Sequence, residues 1–209
     1  MLVFIVAAFI IDYLPIINLP FLWSQTFFHE ISHGLMAIIT GGQIHKISLN
    51  FNGSGVCTSS GGIRFLVSFS GYAGSALWGL LIYALADSLS KTRAKFIVAS
   101  IAIMLGITLL LWARDLSTII ILMVLLLMYL IPLYKSLWLS VKFFIQLVGV
   151  FVMLDAIRSP LYLLDGRDLG DGASLAQISI FPEIFWVASW FVIAVGCVYL
   201  LWTQSLNKD

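Results

Sequence analysis

Seven apolar blocks, at 2–17, 19–40, 65–87, 96–113, 116–134, 137–157 and 182–202, occupy most of the chain and constrain its fold more than any other feature. Crossing a bilayer as a helix takes about 20 apolar residues, and most of these blocks reach that length. A soluble domain carries roughly a quarter charged residues. Here 61% of the 209 residues are hydrophobic, 10% are charged and the mean hydropathy is +1.07. These features predict an all-α integral membrane protein with the lipid bilayer as its surroundings. It is expected to be a polytopic, multi-pass bundle of about six to seven transmembrane helices, forming a single domain over 1–209. The opening MLVFIVAAFIIDYLP lacks a basic flank and a cleavage site, so it reads as a retained first helix.

Charge excludes other classes. With 11 basic and 10 acidic residues the net charge is +1, which leaves no basic surface for nucleic acid. Cys57 and Cys197 stand alone, without metal or redox spacing. Lys91, Arg93 and Lys95, and then Lys135 and Lys142, flank two turns that the positive-inside bias assigns to the cytoplasm.

Two stretches interrupt the apolar pattern. Segment 41–63, GGQIHKISLNFNGSGVCTSSGGI, alternates like a β-strand between Gly-rich turns and predicts a short β-like loop, re-entrant or on the surface. Segment 158–181 is charged. Gly71, Gly74, Ser75 and Gly79 recur at a spacing that lets helix backbones approach closely within lipid.

Chemistry concentrates in FFHEISHGLMAIITGG. His29 and His33 are four residues apart, so they share one helical face and can bind one metal ion. Glu30 lies about 100° further round, placed to act as general base on a bound water. Ionisable groups at membrane depth are costly unless paired or metal-bound. Neutral imidazoles suit Zn²⁺, whose catalytic sites take three protein ligands and leave one position open. The third ligand is open among carboxylates. Asp155 lies inside an apolar helix, with a pair to Arg158 as its bland alternative. Asp171 precedes an apolar run and could instead be a helix cap. Asp165, Arg167 and Asp168 read as a solvated turn, His45 as a solvated loop histidine, and Asp12 as facing a helix partner.

The run HEISHGLMAIITGGQIHKISLNFNGSGVCTSSGGIRFLVSFSGYAGSALWG resembles the compact bacterial and plant branch of the site-2 protease class of intramembrane zinc metallopeptidases. The resemblance is carried by HExxH, the GG turn, the β-like ISLN segment, G-S-G and the GYxGSAxxG helix. It implies a helical bundle in which His29 and His33 ligate zinc, Glu30 is the base and a later carboxylate completes the site. In the broader class the third ligand lies in an LDG motif, pointing to Asp165; the compact branch points to Asp155 and Asp171. The expected order is Asp155, then Asp171, then Asp165, because burial of Asp155 independently calls for a partner.

The implied activity is hydrolysis of peptide bonds in or next to a transmembrane helix of another protein, expected in a bacterial cell membrane. Segment 41–63 is expected to hold the substrate as an added strand around Ile47 and Leu49. The alternative from another class is a metal-binding membrane scaffold or transporter without proteolytic activity.

Overall fold

The computed structural model describes residues 1–88, 91–134, 138–165 and 169–206. It is mostly helical, with one small sheet. In chain order the elements are α1 (Leu2–Asp12), α2 (Pro15–Ile39), β1 (Gln43–Leu49), β2 (Gly55–Ser60), α3 (Arg64–Ser88), α4 (Lys91–Leu111), α5 (Leu116–Tyr134), α6 (Trp138–Arg158), a 3-10 segment (Ser159–Asp165), α7 (Asp171–Ile178) and α8 (Glu183–Leu206).

Two helical stretches, Arg64–Asp87 and Glu183–Gln204, are long and apolar enough to cross a membrane. A third crossing is counted if α1 and α2, bent by 115° where they meet, form one broken span. The first two apolar blocks are therefore not two independent spans. At 11 residues α1 reaches only about 16 Å, half a hydrocarbon layer. Pro15 at the first turn of α2 starts a new helix there, because its missing N–H costs nothing at that position. Asp12, at the end of α1, pairs with Arg158 at the end of α6, whose guanidinium also lies 4.4 Å from the centre of the Phe9 ring. Arg158 thus answers Asp12 and not, as its spacing suggested, Asp155.

The packing glycines act where backbones meet. A Cβ at Gly79 would stand 2.7 Å from the Gly149 carbonyl oxygen, and one at Gly149 would stand 3.0 Å from the Gly79 oxygen. α3 and α6 consequently cross with almost nothing between their backbones, the small-residue contact expected from the sequence. The Gln25 side-chain amide donates to the Phe151 carbonyl at 2.8 Å and ties α2 to the same helix.

The 41–63 segment is an antiparallel hairpin whose strands pair Gln43 with Ser60 through Leu49 with Gly55. A bulge between Ile44 and Lys46 shifts the alternation, so Ile44 and Ile47, three apart, both turn into the core with Leu49. His45 sits at the bulge, bonded to the exposed Ser60 hydroxyl at 2.6 Å. The outer edge of β1 is already used: the Ile47 N–H donates to the Trp112 carbonyl at 3.1 Å and the Leu49 N–H to the Thr118 hydroxyl at 2.8 Å.

Asp115 fastens this junction. It accepts hydrogen bonds from Ser117, from the Thr118 hydroxyl and N–H, and pairs with Lys46 at 3.2 Å. Partial burial disfavours its charge, but these donors outweigh it and hold the carboxyl below the usual carboxylate range. A depressed folded-state value means the stabilisation is complete above the unfolded value near 4 and is lost as pH falls through the folded one. Thermal unfolding in detergent should show the wild type losing stability between pH 5 and pH 3 by more than Asp115→Asn does; parallel pH curves would remove this role.

Candidate metal centre

The core stretch of α2 carries His29, Glu30 and His33 on adjoining turns. The His33 Nδ1–H donates to the Val67 carbonyl on α3 at 2.7 Å. A carbonyl can only accept, so Nδ1 carries a proton and Nε2 faces away from Val67. That Nε2 stands 3.0 Å from Nε2 of His29. The Asp171 Oδ2 lies 3.2 Å from both nitrogens.

Two imidazole nitrogens and one carboxylate oxygen therefore converge on one point, an arrangement that a shared proton or a bound cation stabilises. With metal–ligand bonds of about 2.0–2.1 Å, tetrahedral coordination places ligand atoms about 3.3 Å apart. The observed triangle of 3.0–3.2 Å matches that edge. Its N₂O donor set suits Zn²⁺ and leaves a fourth position open toward the cavity. Among the described residues this is the one such cluster of three His, Cys, Asp or Glu side chains.

Asp171 reaches the imidazoles because of how α7 begins. Gly170, at φ 93°, turns the chain sharply into the helix and takes the N-cap position, so Asp171 is the first helical residue and makes no capping bond. Burial works against its charge, yet the two imidazoles outweigh that and hold the carboxyl below its usual range. α7 rests on an aromatic bed formed by Phe69, Tyr72, Trp186 and Trp190, with Leu175 fully buried on it. The Trp190 indole N–H donates to the Phe69 carbonyl at 3.0 Å and fixes α8 against α3.

The ranking of Asp155 ahead of Asp171 does not match this geometry. Asp155 lines the same cavity from the last turn of α6, but its carboxylate takes the Ser159 hydroxyl and stands outside the triangle. In this structure its burial is answered by a serine one turn on. Asp165 closes the 3-10 segment, with its side chain outside the described residues, as are Arg167 and Asp168 altogether. Ile47 and Leu49 do not line the cavity in front of the triangle: their side chains are buried, and their outward N–H groups are occupied.

Glu30 is buried beside the triangle, accepts the Cys57 N–H and lies against Gly55, where a Cβ would stand 2.8 Å from its Oε1. Burial, with Glu30 adding to it, pushes the Cys57 thiol up to about 12, so it stays protonated and offers no thiolate ligand. The cavity of about 500 Å³ in front of these groups is bounded on one side by β2 from Gly55 to Cys57. Sequence reading missed two supports, the Val67 carbonyl and Gly71. A Cβ at Gly71 would fall 2.5 Å from His33 Nε2 and 2.6 Å from His29 Cε1, so this glycine makes room for the imidazoles themselves.

Gly71→Ala should therefore lower affinity for a divalent transition metal by about 10- to 100-fold, the loss typical of a disturbed ligand support, while the helices stay folded. Competition against a chelating dye measures it, and unchanged affinity would show that the imidazoles can yield. A family model described as peptidase M50B-like matches residues 1–201. No curated protein and no solved structure matches the chain.

Proposed function

Because the chain belongs to the peptidase M50B-like family, that of the site-2 proteases, we propose that it is a zinc metalloendopeptidase that hydrolyses peptide bonds in or next to transmembrane segments of other membrane proteins. The observation that carries this reading is the triangle of His29, His33 and Asp171 with Glu30 beside it. In this reading α4, α5 and α6 cross a bacterial cell membrane alongside α3, α8 and the bent α1–α2 pair, which makes the protein multi-pass.

His29, His33 and Asp171 would hold Zn²⁺, which when bound lowers the pKa of water toward neutrality and polarises a carbonyl. Glu30 takes the proton from the attacking water and returns it to the leaving amine. The Cys57 N–H fixes the carboxylate that does this, and the Val67 carbonyl fixes the tautomer of His33.

A scissile bond has to leave its helix before it can be attacked, since helical carbonyls are tied up in hydrogen bonds. Strand addition remains the way to hold it, but on β2. Ile47 and Leu49 face away from β2, so their partners Cys57 and Gly55 are non-hydrogen-bonded pairs whose carbonyls turn outward toward the cavity. A substrate segment laid there would donate to the Gly55 and Cys57 carbonyls, the Cys57 N–H being held by Glu30. N-methylation of alternate amides in a cleavable peptide should raise KM several-fold on one alternation and little on the other; equal effects on both would argue against an added strand.

Zinc content and cleavage of fluorescent transmembrane peptides test the whole reading. Wild type should hold about one zinc per chain. Glu30→Gln should keep the metal and lose cleavage by about 10²–10⁴-fold, the usual worth of a general base. Asp171→Asn should lose zinc, and Asp155→Asn should retain it. A metal-binding scaffold or transporter would keep its function in Glu30→Gln, and a zinc-bound wild type that cleaves nothing would favour that alternative.

A further inference from the structure

Hydrolysis of a peptide bond drives negative charge onto the carbonyl oxygen, and the three carboxylates around this cavity, Glu30, Asp155 and Asp171, can only repel it when ionised. A donor is needed. Among the described residues no lysine, arginine, asparagine or glutamine lines the cavity. Of its hydroxyls, Thr26 donates to the Gly53 carbonyl, Ser159 to Asp155 and Ser54 to Asn52.

Tyr72 is differently placed. Its ring packs edge-on against His29 with centroids 4.4 Å apart and is held from behind by Trp190 at 4.9 Å. It lines the cavity, and its hydroxyl makes no hydrogen bond among the described residues while lying within Coulombic reach of Asp171, Asp155 and Glu30. The residue is thus a rigid, unpaired donor anchored to a metal-ligating imidazole. Ser68 and Ser174 also line the cavity, but neither makes a ring contact that ties it to the triangle.

We propose that the Tyr72 hydroxyl is the hydrogen-bond donor to the scissile carbonyl oxygen as it becomes an oxyanion. This rests on the peptidase reading. The water oxygen bonds to the carbonyl carbon, the π pair moves onto the oxygen facing Tyr72, and the water proton goes to Glu30. When the pair returns and the C–N bond breaks, the nitrogen takes that proton from Glu30. Tyr72 lends a hydrogen bond throughout and transfers no proton.

Tyr72→Phe tests this while keeping the ring on His29 and Trp190. With zinc-loaded protein in detergent, the variant should retain its metal and its KM for a transmembrane peptide within about threefold, and lose about 10²–10³-fold in kcat. Its affinity for a phosphinic peptide, whose tetrahedral oxygen mimics the oxyanion, should fall by a similar factor, whereas an uncleaved peptide bound in the Glu30→Gln background should be unaffected by adding Tyr72→Phe. Loss of zinc, or kcat and phosphinic-peptide affinity both within threefold of wild type, would overturn the assignment. So would a wild type that does not bind the phosphinic peptide, or the same losses arising from Ser68→Ala or Ser174→Ala instead. Weakened phosphinic-peptide binding in a chain whose wild type cleaves nothing would keep the donor and remove the peptidase. Unchanged cleavage in Tyr72→Phe would do the reverse.

Discussion

Three polar atoms held about 3 Å apart in an apolar interior form the constraint on which the remaining structure depends. A carboxylate buried at that depth is costly unless it is partnered, and here the two imidazoles partner it. Each neighbouring element can be read as holding the three atoms together. The Val67 carbonyl turns one imidazole, Gly71 leaves room for both, and the aromatic bed on α3 and α8 carries the carboxylate into place. The result is a cluster of three side chains that could hold a metal ion.

Close backbone packing is the means by which these supports are brought within reach. α3 stands at the centre, meeting α6 through Gly79 and Gly149, α2 through Gly74 against Ser32, and α8 through Phe69 and Trp190. Within lipid there is little hydrophobic force to draw helices together, so small residues that permit contact decide which helices meet. One face of α3 therefore serves two purposes in succession: Gly71 accommodates ligands, and Gly74 and Gly79 accommodate neighbouring helices.

Much of this was legible in the sequence. The apolar blocks located the helices, the alternation of IHKISLNF located the hairpin, and the four-residue spacing of His29 and His33 placed both imidazoles on one face, because period and burial are local properties. The choice among carboxylates was not local. Asp155 looked more constrained, since its helix is the more apolar, but Ser159 one turn along satisfies it. Asp171 looked like a cap, and only the left-handed turn at Gly170 and the docking of α7 on α8 reveal that it points elsewhere. The count of crossings was likewise beyond the block pattern, because the lengths of two apolar blocks do not show that their helices meet at 115°. The bulge at His45 was hidden too, although it decides which edge of the hairpin is free.

The division of the metal site between α2 and the eight-residue α7 has a consequence for biosynthesis. His29, Glu30 and His33 leave the ribosome early, while Asp171 follows only after α3 to α6 have been made. Until then two imidazoles and a buried glutamate wait without their third ligand, and two nitrogens hold zinc far less firmly than three donors. In the proposed peptidase reading, the nascent chain has no complete metal site while its later helices are still being made. In that reading the order of the residues along the polypeptide is itself a safeguard.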